Sequence, residues 1–354
     1  MASVKLPIDL PIAPMLAKAA ATIPAADAID GGYSYEPKWD GFRVIVIRDR
    51  AKVELASRNG KHLTRYFPEV VTAVREHLPE RIVLDGEIVV RRGEPGHHRL
   101  DWESLSARIH PAASRITRLS QETPAEIIAF DLLACADTSY LDAPFATRRE
   151  VLEGIPLSAE APIHLTRTTG DAEVARDWFT RFEGAGLDGI IAKPLAAPYS
   201  PGKRAMIKVK HRRTAEAVVL GYRIHKSGKG VGSLLLGLVD DSGDLIGVGG
   251  IAAFTAARRL ELIDELEPLV IRGDDGEAVH AETDRSRFSS SKDVSYVPLR
   301  PERVVEVAFD QLEGQRFRHA VTFLRWRPDR DPMSCRLEQI ERAPAYDLGE
   351  VLTS

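Results

Sequence analysis

Six consecutive residues, Lys38-Trp39-Asp40-Gly41-Phe42-Arg43, crowd a lysine, a carboxylate and an arginine around one glycine, directly after Glu36-Pro37. The apolar run Val44-Ile45-Val46-Ile47 that follows reads as a buried strand, so the charged cluster lies at a strand mouth. A lysine amine is nucleophilic only when unprotonated, and neighbouring cations or desolvation must favour that form. Arg43 is a candidate cation. The alternative is a solvated surface turn in which Gly41 serves only a positive φ.

Other residues suit the same chemistry. Asp85-Gly86-Glu87 interrupts an apolar strand, where an unpaired carboxylate is costly to bury. A salt-bridge partner, a divalent metal or a ligand hydroxyl must meet it. Asp188-Gly189-Ile190-Ile191-Ala192-Lys193 again sets an acid and a lysine around an apolar strand. Alternation puts Asp188, Ile190 and Ala192 on one face and Gly189, Ile191 and Lys193 on the other. Lys208 and Lys210 share a face and aim two ammonium groups at one anion, for which a phosphate is the natural candidate. Phe130, before Asp131, is a core ring or a stacking platform for a base. Arg325-Trp326-Arg327-Pro328-Asp329-Arg330 alternates cations along a strand end, as a solvated edge or a phosphate clamp.

Taken together, these are the parts of a nucleotidyl transferase. Lys38 would attack the α-phosphate of a nucleotide and form a phosphoramidate. Mg²⁺ and a removable cationic clamp would stabilise the departing pyrophosphate. Two further stretches do not fit such roles. Gly228-Lys229-Gly230-Val231-Gly232 runs into Leu234-Leu235-Leu236 instead of a helix and reads as a basic β-turn. His97-His98 lacks metal-ligand spacing.

The elements that must position these residues form a mixed scaffold. Residues 1–32 carry four prolines and little periodicity, giving an extended segment with a short helix at 15–21. From Tyr33 to Ser57 the order is strand, motif, strand, a turn at Asp49-Arg50-Ala51, and strand; Ser57-Arg58-Asn59-Gly60-Lys61 then breaks the sheet. Helices are predicted at 67–78, 101–109, 146–153 and 172–183, and strands at 82–90 and 126–133, an α+β arrangement. The stretch 203–213 holds six Lys or Arg residues and no acid. After it come short strands at 217–224, 233–239, 245–251, 304–309 and 320–327 with one helix at 255–266, the pattern of a small OB-type barrel. The domains are therefore set at 1–212 and 213–354.

A chain of 354 residues suits two domains, and 28% charged with 44% hydrophobic residues is ordinary for a globular protein. The net charge of −4 does not itself advertise a nucleic-acid binder, so local charge placement matters more than the sum. Cys135 and Cys335 are too few for a disulfide framework or a cysteine zinc site and fit a reducing cytosol. The N-terminal apolar residues are broken by Asp9 and prolines, unlike a signal peptide. No run approaches the roughly 18 apolar residues of a membrane span.

In order and spacing the motifs resemble those of the covalent nucleotidyl transferases: ATP-dependent DNA ligases, RNA ligases and mRNA-capping enzymes. The resemblance spans Lys38 to Arg330. Lys38 through Arg43 resembles motif I, with Lys38 the adenylated lysine, and Ser57-Arg58-Asn59-Gly60 resembles the next ligase motif, whose arginine approaches the nick phosphate. Leu84-Asp85-Gly86-Glu87 is similar to motif III, implying that Glu87 holds the ribose or a metal. Phe130 resembles the ring that stacks on adenine. Asp188 through Lys193 is similar to motif IV, with Asp188 where many relatives carry Glu. Lys208-Val209-Lys210 resembles motif V, which contacts the α-phosphate, and Arg325 through Arg330 resembles motif VI, with Arg330 in place of the usual lysine. The stretch from Ala192-Lys193-Pro194 through Tyr199-Ser200-Pro201-Gly202-Lys203-Arg204 to Lys210 is most similar to the small bacterial ligase C group.

The resemblance implies a nucleotidyltransferase domain of ATP-grasp-like ligase type followed by an all-β OB-fold domain, with no DNA-encircling domain ahead of them. It implies ATP contacts from Glu36, Lys38, Arg43, Arg58, Glu87, Phe130, Lys193, Lys208, Lys210, Arg325, Arg327, Asp329 and Arg330. Glu87 and Asp188 would hold Mg²⁺ or Mn²⁺. Asp40, Arg58, Lys203, Arg204, Lys226 and Lys229 would contact DNA. The expected activity is sealing of 3′-OH/5′-phosphate nicks in duplex DNA, in repair, by a monomer in the bacterial cytosol working with recruiting repair proteins and without a membrane. The OB domain is expected to swing about a hinge at 211–214. NAD-dependent ligases differ in lacking motif VI and in carrying a cysteine zinc module. The competing readings are an RNA ligase, a capping guanylyltransferase, or a non-catalytic nucleic-acid adapter.

Overall fold

The apolar run after the lysine motif forms the strand Phe42–Asp49, and its side chains divide two cores. Val44 and Val46 pack with Leu84, Ile88 and Ile127 and with Val70 and Val74 of the helix Pro68–His77. Ile45 and Ile47 point the other way, into a cluster with Met15, Val83, Tyr199 and Met206. A strand buried on both faces reads as a continuous apolar run, as this one does. The computed structural model describes residues 6–157, 161–282, 295–310, 312–340 and 343–352.

The chain forms two compact units, Met1–Lys210 with Arg342–Ser354, and His211–Glu341. In the first, a mainly antiparallel sheet orders the strands Lys52–Ser57, Phe42–Asp49, Arg81–Arg92, Ala125–Cys135 and Thr138–Ser139, with two short strands added at its sides. A second sheet orders Leu16–Ala20, Arg204–Lys210, Gly189–Pro194 and Tyr33–Pro37. The cluster around Ile45 and Met206 draws side chains from both sheets. The predicted helices form at Pro68–His77, Trp102–Ala107, Phe145–Glu153 and Ala172–Arg181. Pro68 occupies a first-turn position. Asp101 and Asp171 cap their helices by accepting from Ser104 N–H at 2.9 Å and Glu173 N–H at 2.7 Å.

Three sequence expectations change. Residues 15–21 are not a helix: Leu16–Ala20 is a strand, paired in parallel with Arg204–Lys210. Alanine-rich propensity yields there to tertiary pairing, begun by Leu16 N–H donating to Lys203 O at 2.8 Å. The helix Ala113–Glu122 was not anticipated, since it is mostly polar and Ile116 is its one buried residue. The assignment of 213–354 to one domain is too long at its end. Leu348 and Val351, each 1% exposed, join the cluster of Tyr35, Trp178 and Phe182 in the first unit, where Asp347 Oδ1 accepts from His98 N–H at 2.7 Å. Two apolar residues in a short tail are too weak a pattern to announce this return.

The second unit is a small barrel. Its long strand Arg213–Ile224 pairs with Val231–Val239 on one side and, on the other, with Val304–Phe309 through 213–218 and Ser295–Pro298 through Gly221 and Tyr222. Leu245–Ile251 and Thr322–Trp326 extend the two ends, and the helix Ala256–Leu266, capped by Thr255, buries Leu262 and Leu266 against it. Only His211 and Arg212 separate this long strand from Arg204–Lys210 in the first unit. The Gly228–Gly230 stretch is a turn, with His225 N–H donating to Gly230 O at 2.9 Å, and not a phosphate loop.

Candidate active site

Antiparallel pairing between Tyr33–Pro37 and Gly189–Pro194 continues one step beyond the strand into the lysine motif. Lys38 N–H donates to Gly189 O at 2.8 Å, and Lys38 O accepts from Asp188 N–H at 2.9 Å. With its backbone fixed, Lys38 places Nζ 2.5 Å from Asp188 Oδ2, and Lys210 Nζ reaches the same oxygen at 2.9 Å. Burial works against the Asp188 charge, but Lys38 and Lys210 outweigh it and hold this carboxyl below its usual range. Gly41 does not serve a positive φ. It is glycine because a Cβ would lie 2.1 Å from Ile88 O, and the close approach lets Gly41 N–H donate to Glu87 Oε1 at 3.1 Å.

Alternation along Arg81–Arg92 sends Leu84 and Ile88 into the helix-side core and Asp85 and Glu87 to the opposite face. Arg43 donates to both oxygens of Asp85, Nε to Oδ1 at 2.6 Å and Nη2 to Oδ2 at 2.7 Å. Tyr199 donates its hydroxyl to Asp85 Oδ2 at 2.6 Å and accepts from Met15 N–H at 3.0 Å. The charge of Arg43 is therefore committed to Asp85, which answers the question of what meets that buried carboxylate. Glu87 is different: desolvation pushes its carboxyl up to about 7 against the pull of Arg43, Lys38 and Gly41 N–H.

Phe130 is 4% exposed, with the Arg43 guanidinium 4.4 Å and Lys193 Nζ 4.8 Å from its ring centre. Lys193 is 2% exposed and pairs with Glu36 Oε1 at 2.9 Å, while Glu36 Oε2 has no hydrogen-bond partner. Behind them Arg148, 0% exposed, donates to both oxygens of Asp131 at 2.7 and 3.0 Å.

Glu36, Lys38, Arg43, Arg58, Glu87, Phe130 and Lys208 line one cavity, with Trp39, Ile191 and the segment Pro14–Ala17. Desolvation, Lys210, Lys38 and Arg58 together depress the Lys208 ammonium from its ordinary value. Asp188 and Lys210 adjoin the cavity through Lys38, whereas Lys193 lies behind Glu36. Lys203 and Arg204 are exposed where the strand Arg204–Lys210 begins, and Asp40 is half-buried beside Lys38. In the second unit Arg325 pairs with Glu306 at 2.6 Å, Arg327 with Asp329 at 2.8 Å and with Glu216, and Arg330 lies 3.9 Å from Glu216. Lys226 and Lys229 are exposed on the turn between strands.

Sequence reasoning missed the support behind these groups. Trp39 donates to Thr166 Oγ1 at 2.8 Å, and Arg148 and Tyr199 hold Asp131 and Asp85. An arginine in a charged helix and a tyrosine in a Pro-flanked loop carry no local signal of such partners.

No group of three or more His, Cys, Asp and Glu side chains gathers around one point among the described residues. A Mg²⁺-type ion is commonly held by one or two carboxylates plus phosphate oxygens and water. Glu87 fits that demand, as a desolvated carboxylate lining the cavity beside Lys38 with a backbone N–H on one oxygen. Asp188 is engaged by two ammonium groups through Oδ2.

Comparison with known proteins shows the family. The family model for the ATP dependent DNA ligase domain matches residues 14–210, and that for the ATP dependent DNA ligase C terminal region matches residues 227–330. The chain is 55% identical to DNA ligase C1 of Mycolicibacterium smegmatis over 98% of its own length and 99% of that protein. It is 50% identical to DNA ligase C of Mycobacterium tuberculosis over 98% and 99% of the two lengths. A solved Lig E DNA ligase, 18% identical, shares the fold with a TM-score of 0.54 over 89% of this chain and 100% of that one. No helix among the described residues is long and apolar enough to cross a membrane. With the matched regions spanning both the lysine motif and the barrel, the chain belongs to the ATP-dependent DNA ligases, within their ligase C group.

Proposed function

We propose that Lys38 is the adenylated residue of a nick-sealing cycle of three phosphoryl transfers. Lys38 Nζ, once its ammonium has given up a proton to solvent, attacks the α-phosphorus of ATP, so a P–N bond forms as the P–O bond to pyrophosphate breaks. An oxygen of the 5′-phosphate at the nick then attacks the same phosphorus, and the P–N bond breaks. The 3′-hydroxyl finally attacks the 5′-phosphorus and AMP leaves with the bridging oxygen. Positioning and electrostatics dominate such steps. The observation that carries this reading is the Lys38 amine, held 2.5 Å from Asp188 Oδ2 at the edge of a cavity that also bears Lys208, Arg58 and Glu87.

Each residue has a role in this reading. Asp188 orients Lys38 and Lys210, and its depressed pKa makes it a weak proton acceptor. Lys208 and Lys210 meet the α-phosphate, and Arg58 meets the nick phosphate. Glu87 and Asp188 would hold a divalent cation, which when bound would lower the charge on the pyrophosphate leaving group. Glu36 Oε2, buried at the cavity wall without a partner, accepts from the 6-amino group of adenine. Guanine would present a carbonyl oxygen there, so ATP is favoured over GTP. Arg325, Arg327, Asp329 and Arg330 clamp pyrophosphate, while Asp40, Lys203, Arg204, Lys226 and Lys229 serve DNA. We place the reaction in repair and in the cytosol.

The test is to incubate the protein and Lys38→Ala with α-labelled ATP or GTP and Mg²⁺, then chase with nicked DNA. Label from ATP alone, absent in the variant and discharged by the nick with sealing, is expected. Label taken from GTP would redirect the reading to capping chemistry, and labelling of Lys38→Ala would exclude Lys38 as the acceptor.

A further inference from the structure

Behind the base pocket lie two buried carboxylates and one ammonium that reaches both. Lys193 Nζ is 2.9 Å from Glu36 Oε1 and 4.0 Å from Asp131 Oδ2, and it donates to Phe130 O at 2.8 Å. In a dry site a shared cation settles on the carboxylate that is less well compensated. Asp131 is compensated by Arg148 through two hydrogen bonds of 2.7 and 3.0 Å. The guanidinium is itself fixed, since Nη1 donates to Ala143 O at 2.6 Å and Ala197 O at 3.0 Å. Glu36 has Lys193 as its ion-pair partner.

We infer that Arg148 is a positioning residue for nucleotide choice: by saturating Asp131 it commits Lys193 to Glu36, which keeps Glu36 a charged acceptor aimed at the base. The inference rests on the reading of Glu36 as the acceptor for the adenine amino group. The charged groups around Glu36 are Lys193 on Gly189–Pro194, Asp131 on Ala125–Cys135 and Arg149 on Phe145–Glu153. Burial favours the neutral acid there, and Lys193 is the strongest force against it. Without Arg148, Asp131 competes for Lys193, and burial then favours the protonated form of Glu36 more strongly. A protonated Glu36 is a poorer acceptor for an N–H donor.

The measurement is the rate of lysyl-nucleotide formation by the full chain, with ATP and with purine riboside triphosphate, which lacks the 6-amino group, across pH 6 to 9. Wild type should prefer ATP by about 10- to 100-fold, the worth of a hydrogen bond to a charged acceptor. Arg148→Met should lose most of that preference at neutral pH and recover part of it at higher pH. The double variant Arg148→Met, Asp131→Asn should regain it at neutral pH, because the competing carboxylate is gone. Should Arg148→Met not fold, Arg148→Gln, which can still donate to the two carbonyls, gives the same comparison. An unchanged preference in the Arg148 variants, with both nucleotides slowed alike, would overturn the positioning role. That result would leave the Glu36 reading standing if Glu36→Leu lowers the preference. An unchanged preference in Glu36→Leu would remove the reading and the inference together.

Discussion

Lys38 and Lys210 meet on a single oxygen: Asp188 Oδ2 lies 2.5 Å from one Nζ and 2.9 Å from the other. One carboxylate therefore sets the place of two ammonium groups that approach from either side of the strand Gly189–Pro194. Its own position is fixed through the backbone, because Asp188 N–H donates to Lys38 O at 2.9 Å. In the proposed cycle, this registers the nucleophile and a phosphate ligand to each other before any nucleotide arrives.

Asp188→Asn keeps the shape and removes the charge that gathers the two lysines. Formation of the lysyl-adenylate should fall by about 100-fold, the usual cost of misplacing a reacting group by about 1 Å. Single-turnover labelling with ATP measures it. An unchanged rate would show that the anchor is dispensable to the attack.

Gly41 makes a separate prediction. A Cβ there would sit 2.1 Å from Ile88 O and 3.0 Å from Glu87 Cγ. Gly41→Ala must therefore push the motif loop off the strand that carries Glu87, at a cost of about 1–3 kcal/mol in stability. Adenylation should drop more than stability does, since the loop carries Lys38. Denaturant unfolding and labelling on the same preparation separate the two effects, and equal tolerance in both would contradict the close-packing account.

The lysines and Arg43 that line the cavity were legible as a cluster because they are local in sequence: Lys38 and Arg43 lie five residues apart, and Lys208 sits in one basic strand with Lys210. The apolar run 44–47 revealed its strand for the same reason, its continuous β-branched composition needing no distant partner. What joins the pieces was not legible. Asp85 and Tyr199 are 114 residues apart, and Asp131 and Arg148, though 17 apart, meet only because the helix Phe145–Glu153 packs on the sheet. Lys193 shows the limit most clearly. Strand alternation put it on the face of Ile191, as observed, but its role was set by Glu36, a strand away. The segment Leu16–Ala20 failed for the complementary reason: a helix-prone composition was overruled by the strand it pairs with.

Glu87 couples the site to pH. Its carboxyl is raised from 4.5 to about 7, chiefly by desolvation. Between those values the folded protein binds more protons than the unfolded chain, so this group's contribution is complete below pH 4.5 and is lost as pH rises through about 7. Its size is at most about 3 kcal/mol, reduced by water reaching the cavity. Glu87→Gln should flatten the wild-type decline in stability over this window, as read from urea midpoints at successive pH values. Parallel pH profiles for the two proteins would place the proton elsewhere.

DNA binding should be electrostatic despite the overall charge of −4, because the exposed cations are gathered locally. Lys203 and Arg204 open the strand that carries Lys208 and Lys210, and Lys226 and Lys229 cap a turn of the barrel. Each phosphate contact contributes about 0.9 to the slope of log affinity against log salt. Lys203→Ala with Arg204→Ala should therefore reduce that slope by about 1.8 and weaken binding to nicked duplexes of any sequence alike. Adenylation of Lys38 by ATP should stay at the wild-type rate, since neither side chain lines the nucleotide cavity. A salt slope that stays the same in the double variant would mean that these two cations do not touch the DNA backbone, whatever their exposure.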